Sequence, residues 1–286
     1  MSASPTVTIV TPSLNMATYV ERTIKSVLDQ DYDDIEYIVM DGGSTDGTKE
    51  ILARYGHLLQ FESRSDNGPG DAINRGYERS HGEFFAYLNA DDTYLPGAIR
   101  TAVEYLLENP QVAVVYGNGF WVDSDDHVIC PYPTRDFDPG LLARECYICQ
   151  PATLMRSEVF ARVGMMNPEL HYTFDYDLWI RIAKQYAFGR LERFLATSRM
   201  HPSNKTIGAK GKVLRETIRL LRHHYGYVPY QWVYAYACWL LDRKNQFFEQ
   251  SLPSVPKFFL SVLLGARYNV FHPARFYGEV VSATRR

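Results

Sequence analysis

The chain of 286 residues has no apolar run near the roughly 20 residues that a bilayer-spanning helix needs; the longest candidates, around 232–241 and 258–266, are about half that length. It is therefore expected to lie on a membrane at most, not to cross one. Cysteine is scarce: Cys130, Cys146, Cys149 and Cys238 contain a single C-x-x-C and no second pair at zinc-finger spacing. That usage points to reduced thiols in a cytosolic protein, not to a disulfide scaffold or a structural zinc. The opening residues MSASPTVTIV lack the basic and apolar regions of a signal peptide, so a cytoplasmic location is expected. Glycine is missing where a dinucleotide fold needs it, because TPSLNMATYV after the first β-branched run contains none, and no G-x-x-x-x-G-K-[ST] occurs. If phosphates are bound, other groups must neutralise them.

What is present is enough apolar material, 46% of residues, to bury a large domain. The formal charge of −3 hides a division. Residues 1–198 hold 16 Lys/Arg against 29 Asp/Glu, a balance of −13, whereas 199–286 hold 14 against 4, a balance of +10. A basic tail on an acidic body suggests an anionic partner for the tail. Residues 227–286 add Trp232, Trp239 and many other rings to Arg243, Lys244, Lys257, Arg267 and Arg275. That mixture suits either a membrane interface or a helical bundle packed on the catalytic domain. Nucleic acid is not expected, since no recognition motif accompanies the charge.

From residue 7 to 117 the pattern alternates strand and helix. A short β-branched run at 7–11 precedes a helix over 19–29 with Val20, Ile24, Val27 and Leu28 on one face, then an apolar run at 35–40. Helices are predicted at 49–55, 71–80 and 96–109, with strands at 59–62, 84–88 and 112–116. Farther on, helices are expected at 157–163, 177–186 and 213–225. The alternation predicts an α/β domain with a mostly parallel sheet flanked by helices and ligands beyond the strands' carboxyl ends. Polar clusters fall at those ends: Pro12 to Asn15, Asp41 to Gly47, and Asn89 to Asp92.

Two adjacent carboxylates after a buried strand, Asp91 and Asp92, are hard oxygen ligands that suit Mg2+ or Mn2+ bridging to a diphosphate. The alternative is that one caps the helix near Pro96 and the other is solvated.

VTIVTPSLNMATYVERTIKSVLDQDY, IEYIVMDGGSTDGT and DAINRGYERSHGEFFAYLNADDTYLPGAI, followed by QPATLMRSEVF and TFDYDLWIRIA, together resemble the family 2 glycosyltransferases of the GT-A fold, over about 205 residues. The resemblance implies a Rossmann-like catalytic domain over 1–205, with a nucleotide-sugar half at about 1–117 and an acceptor half at 118–205. A basic, aromatic helical extension occupies 206–286. It implies an inverting, metal-dependent transferase acting on a nucleoside-diphosphate sugar, with Mg2+ or Mn2+ as cofactor. The acceptor would be a glycan or lipid-linked glycan in surface polysaccharide or glycoconjugate synthesis. Thr11, Pro12 and Ser13 would lie along the nucleotide, Asp41 would contact the base, and Asp66 and Asp71 would line the pocket or serve as turn and cap residues. Asn89 stands where the family often has the first Asp of its D-x-D motif. Asp91 matches the carboxylate near ribose and metal, and Asp92 the metal ligand. Asp175 occupies the place of the catalytic base, with Phe174 replacing an acidic neighbour. Asp177 is either part of the site or a cap. His201 is either a further metal ligand or a surface residue before a proline, Arg199 and Lys205 could offset phosphate charge, Gln150 is a candidate acceptor contact or a turn residue, and Trp179 is a candidate acceptor contact or a core residue.

Two other classes fit less of the sequence. A sugar nucleotidyltransferase would carry a glycine-rich basic loop after the first strand, where TPSLN stands. A catalytically inactive nucleotide-sugar-binding partner of a polysaccharide assembly complex would bind donor without turning it over.

Overall fold

The computed structural model describes residues 5–201, 204–244 and 252–284. The chain divides into two compact units, Met1–Pro139 with Tyr147–Met200, and Gly140–Cys146 with His201–Arg286.

The first unit opens as β1 (Val7–Ser13), α1 (Val20–Leu28), β2 (Ile35–Asp41), α2 (Thr48–Tyr55), β3 (Gln60–Ser63), α3 (Pro69–Tyr77) and β4 (Phe84–Tyr87). It continues as β5 (Thr93–Tyr94), α4 (Ala98–Glu108), β6 (Val112–Val122) and β7 (Val128–Pro131), with α5 (Pro139–Leu142) at the junction of the units. It closes with β8 (Thr153–Arg156), α6 (Val159–Val163), α7 (Phe174–Ala183) and β9 (Ala187–Arg199). The nine strands form one sheet in the order β3-β2-β1-β4-β8-β6-β9-β5, with β7 paired to β6.

The first four strands of that order are parallel, as the alternation predicts. The other half is mixed. β6 runs parallel to β9, but β4–β8, β6–β8, β5–β9 and β6–β7 are antiparallel. The domain is therefore α/β as expected, but its sheet is only half parallel. Antiparallel partners need no crossover helix, and no local sequence signal marks which distant strand turns back.

α1 is amphipathic, and Val20, Ile24 and Val27 leave water completely against Val7, Ile9 and Val39. Each such side chain contributes about 1.5–3 kcal/mol by burial. α3 covers the sheet through Gly76, where a Cβ would meet Val10 Cγ1 at 2.5 Å, so only glycine permits this approach.

In the second unit, α8 (Lys205–Gly208), α9 (Lys210–Tyr225), α10 (Tyr230–Asp242), α11 (Val255–Tyr268) and α12 (Pro273–Thr284) surround a separate core that includes Leu214, Ile218, Val228, Val233, Tyr236 and Phe276. Asn269 ties the entry to α10, accepting from the Val228 N–H at 2.7 Å and donating to its carbonyl at 3.0 Å. Among the described residues these helices thus bury one face in a core of their own.

Candidate active site

Parallel register builds the rim. Ser13 pairs with Asp41 and Asp41 with Ser63, so the ends of β1, β2 and β3 form one row. Val10 pairs with Tyr87, and the Leu88 N–H donates to the Val10 carbonyl at 3.0 Å, so Asn89 to Asp92 leave the sheet beside Thr11 to Ser13. The loops after β1 and β2 are laced together. The Asn15 N–H donates to Ser44 Oγ at 2.7 Å, and its side-chain oxygen accepts from the Thr45 N–H at 2.9 Å. Asn15 has a φ of 54°, a left-handed conformation that asparagine tolerates.

Several expected donor-side residues prove to organise this rim. Asp41 is almost wholly buried and accepts from the Gly43 and Ser44 N–H groups at 3.1 and 2.9 Å, from Ser63 Oγ at 2.5 Å, and from Ser44 Oγ. Asp71 accepts from the Asn67 N–H at 3.0 Å, a turn-holding role at the start of α3. Asp66 accepts from the Gly68 N–H at 2.8 Å, and its Oδ2 lies 2.8 Å from where a Cβ on Gly42 would sit. Thr11 Oγ1 lies 3.1 Å from the Tyr37 hydroxyl. Ser13 differs, because its Oγ is buried without a hydrogen-bond partner, an exception that buried polar atoms rarely show.

The acidic pair is held from several sides. Asp91 and Asp92 are both buried. Asp92 Oδ1 accepts from the Arg199 N–H at 2.9 Å, Oδ2 accepts from Asn89 Nδ2 at 3.1 Å, and its carbonyl accepts from the Thr23 hydroxyl at 2.8 Å. Burial first, and the neighbouring Asp91 charge second, push the Asp92 carboxyl up to about 8 against these donors. Two adjacent buried carboxylates, one of them reluctant to ionise alone, form a hard-oxygen set that a divalent cation fits, since the cation's charge favours the ionised form. Asp91 and Asp92 are the residues that would hold it. Gln150, expected at the acceptor, instead braces this loop: Nε2 donates to the Tyr87 carbonyl at 2.7 Å and Oε1 accepts from Asn89 Nδ2 at 3.2 Å.

Asp175 lies in the first turn of α7, half-buried, with Oδ1 accepting from the Tyr176 N–H at 2.7 Å. Its neighbour Phe174 packs on Tyr87, ring centroids 6.0 Å apart, which brings the start of α7 to the end of β4. The helix begins at Phe174 and not at Asp177, because Asp177 is not a cap. Its Oδ2 pairs with Arg181 Nε at 2.7 Å, and Arg181 in turn donates to the Val163, Gly164 and Met165 carbonyls.

Two expectations are corrected. Trp179 is completely buried, edge-on to Phe188 at 6.3 Å, so it packs the core and presents nothing to an acceptor. Arg199 is completely buried and cannot offset a ligand's phosphate charge. Its guanidinium donates to the carbonyls of Asp91 and Asp123 at 2.8 and 2.9 Å, pairs with the Asp126 carboxylate, and lies 5.1 Å from the Tyr19 ring. His201 is buried at the start of the second unit, and the Lys205 side chain lies outside the described residues.

One cluster was not foreseen. Ligand atoms of Asp123, Asp125 and His127 lie within 4.8 Å of one another. Asp123 Oδ1 accepts from the N–H groups of Asp125 and His127 at 2.8 and 3.0 Å, so this grouping closes the turn between β6 and β7. The D-x-D-x-H spacing was its only sequence signal.

Comparison with known proteins matches residues 8–164 to the model of Glycosyl transferase family 2. An uncharacterised glycosyltransferase of Rickettsia typhi is 32% identical over 212 residues, 71% of this chain and 66% of that protein. A putative teichuronic acid biosynthesis glycosyltransferase of Bacillus subtilis is 36% identical over 110 residues, 36% of this chain and 43% of that one. The chain thus spans about two thirds or less of these relatives' lengths. Among solved structures, the mannosyltransferase PcManGT of Pyrobaculum calidifontis, in complex with GDP-Man and Mn2+, superposes with a TM-score of 0.60 at 17% identity, covering 99% of this chain and 87% of that one. At that identity the likeness shows the fold.

Proposed function

The chain belongs to glycosyl transferase family 2, and from that premise we propose that it is an inverting transferase. It moves a sugar from a nucleoside-diphosphate sugar to a glycan or lipid-linked acceptor. The observation that carries this reading is the convergence of the β1, β2 and β4 ends on a buried acidic pair, with Asp175 brought alongside by Phe174 on Tyr87. The orphaned Ser13 hydroxyl offers the nucleotide a hydrogen bond on the same rim.

In this reading Asp175 accepts the proton of the acceptor hydroxyl as that oxygen attacks the anomeric carbon. The bond from that carbon to the diphosphate oxygen breaks on the opposite face, and the configuration inverts. Asp91 and Asp92 would hold Mg2+ or Mn2+, which supplies positive charge to the leaving diphosphate. Thr11, Pro12 and Ser13 flank the nucleotide, and Asp41, Asp66 and Asp71 shape its pocket from behind. A role in surface polysaccharide synthesis draws support from the Bacillus subtilis relative's description. Work at the inner face of a membrane, reached through residues 227–286, belongs to the same proposal.

Asp175→Asn is expected to lose sugar transfer by 100-fold or more, on the order of what a positioned base contributes, while binding nucleoside diphosphate as wild type does. Wild-type protein that binds no nucleoside diphosphate in the presence of Mn2+ or Mg2+ would refute the assignment.

A further inference from the structure

α11 is apolar on both sides. Its inner face packs within the second unit: a Cβ on Gly265 would overlap the Phe276 ring, and Ser261 Oγ donates to the Phe258 carbonyl at 2.7 Å and lies 3.3 Å from the Tyr230 hydroxyl. The opposite face is where a helix on a water-soluble surface carries polar residues. Here it carries Val255, Phe259 and Leu263, spaced four apart along one line of the helix, with Phe259 62% and Leu263 70% exposed. Leu252 precedes this line, and Val270 and Phe271 follow it, Phe271 at 89% exposure. Soluble monomers rarely leave so continuous an apolar surface to water.

Charge chooses the occupant. Arg267 extends the same line by one more turn and is exposed. Among residues 252–284 the sole carboxylate is Glu279, which is held by Arg144 and Arg275. Asp242, at the end of α10, is held by Lys257 at 2.8 Å. Exposed Arg243 and Lys244 follow it. The face thus offers apolar rings edged by cations and no free acid among the described residues. A second copy meeting it through the same face would bring the same cations with no free carboxylate to meet them. α11 has 14 residues, about 21 Å of helix, and no helix among the described residues is long and apolar enough to cross a membrane.

We propose that this outer face of α11 lies on an anionic lipid surface, with Phe259 and Leu263 entering the acyl boundary and Arg267 meeting headgroup phosphates. The proposal rests on the membrane part of the functional reading and narrows it to one helix face, independently of the donor site.

The test is flotation of the full chain with vesicles of phosphatidylcholine, alone or mixed with phosphatidylglycerol. Wild type should float with the mixed vesicles, several-fold less with the neutral ones, and be released by high salt, which screens the cations. The Phe259→Ser, Leu263→Ser double variant should stay with the soluble fraction, and Arg267→Gln should float partially. Both replaced side chains are solvent-facing, so circular dichroism should match wild type. Wild type that fails to float with the mixed vesicles, or a double variant that floats equally well, would overturn the proposal. So would light scattering that shows a dimer dissolved by the double substitution, since a second copy would then cover the face. Nucleoside diphosphate binding is measured on the same preparations: its loss in wild type would undo the transferase reading and leave the lipid result standing.

Discussion

Replacing Asn89 by Asp restores the residue the family often carries, and the structure predicts that the restoration is costly. Asn89 Nδ2 donates to Asp92 Oδ2 at 3.1 Å and to Gln150 Oε1 at 3.2 Å. The direction of both bonds is fixed, because Gln150 Nε2 donates to the Tyr87 carbonyl, which can only accept. A carboxylate in that place turns two attractions into repulsions. At 3.1 Å and an effective dielectric near 20, two unit charges repel by about 5 kcal/mol, a ceiling for a half-buried residue that water partly screens. Protonation offers relief, since Asp92 already titrates at about 8. In EDTA at pH 6 the loss should therefore fall to about 1–2 kcal/mol, the value of the two missing hydrogen bonds. At pH 8.5, where Asp92 of the unsubstituted protein is mostly ionised, the loss should be larger, with about 5 kcal/mol as its ceiling, because the repulsion itself holds the shared proton to higher pH. Urea unfolding at the two pH values measures the difference, with Asn89→Ala as a control that should lose about 1–2 kcal/mol at both. Equal stability of Asn89→Asp and wild type at pH 8.5 would refute the reasoning.

The raised Asp92 carboxyl also sets a pH dependence in the unsubstituted protein. Between the unfolded value of about 3.9 and the folded value of about 8, the native state binds a proton that the unfolded chain does not, so stability without metal falls as pH rises through this window. Divalent cation binding requires the ionised form, so Mn2+ affinity by calorimetry should rise about tenfold from pH 6 to pH 7 and level off above pH 8. An affinity flat across that range would disprove the link. Arg199→Met should destabilise the first unit by about 2–4 kcal/mol, because the Asp91 and Asp123 carbonyls lose their donor, whereas the half-exposed Asp126 carboxylate keeps Arg22. Arg199→Lys should recover only part of this in the same unfolding assay, since an ammonium cannot reach all three.

Much of the fold was legible because its signals are local. The apolar faces of α1 and α4, the β-branched run of β1 and the polar clusters at strand ends follow from side-chain period and turn chemistry, and most element limits fall within a few residues of expectation. The errors sit where a distant partner decides. α7 starts three residues early because Asp177 is taken by Arg181 within the helix, which leaves Asp175 in the first turn. β6 runs on to Val122 because β9 pairs along its whole length.

The sequence by itself determined the order of strands and helices, the family, and which carboxylates stand at strand ends, since each of these is written in spacing along the chain. Only the tertiary structure decided what those polar groups do. Asp41, Gln150 and Arg199 all carry the chemistry of ligand contacts, yet each spends its hydrogen-bonding capacity on the protein. A buried polar group must be satisfied by whatever the fold places within about 3 Å, and that distance is set by chain segments 61 to 108 residues away for Gln150 and Arg199, and for Asp41 by its own loop and by Ser63, 22 residues on. The same rule separates Ser13 from Thr11 and Ser44: among the described residues its hydroxyl has no hydrogen-bond partner.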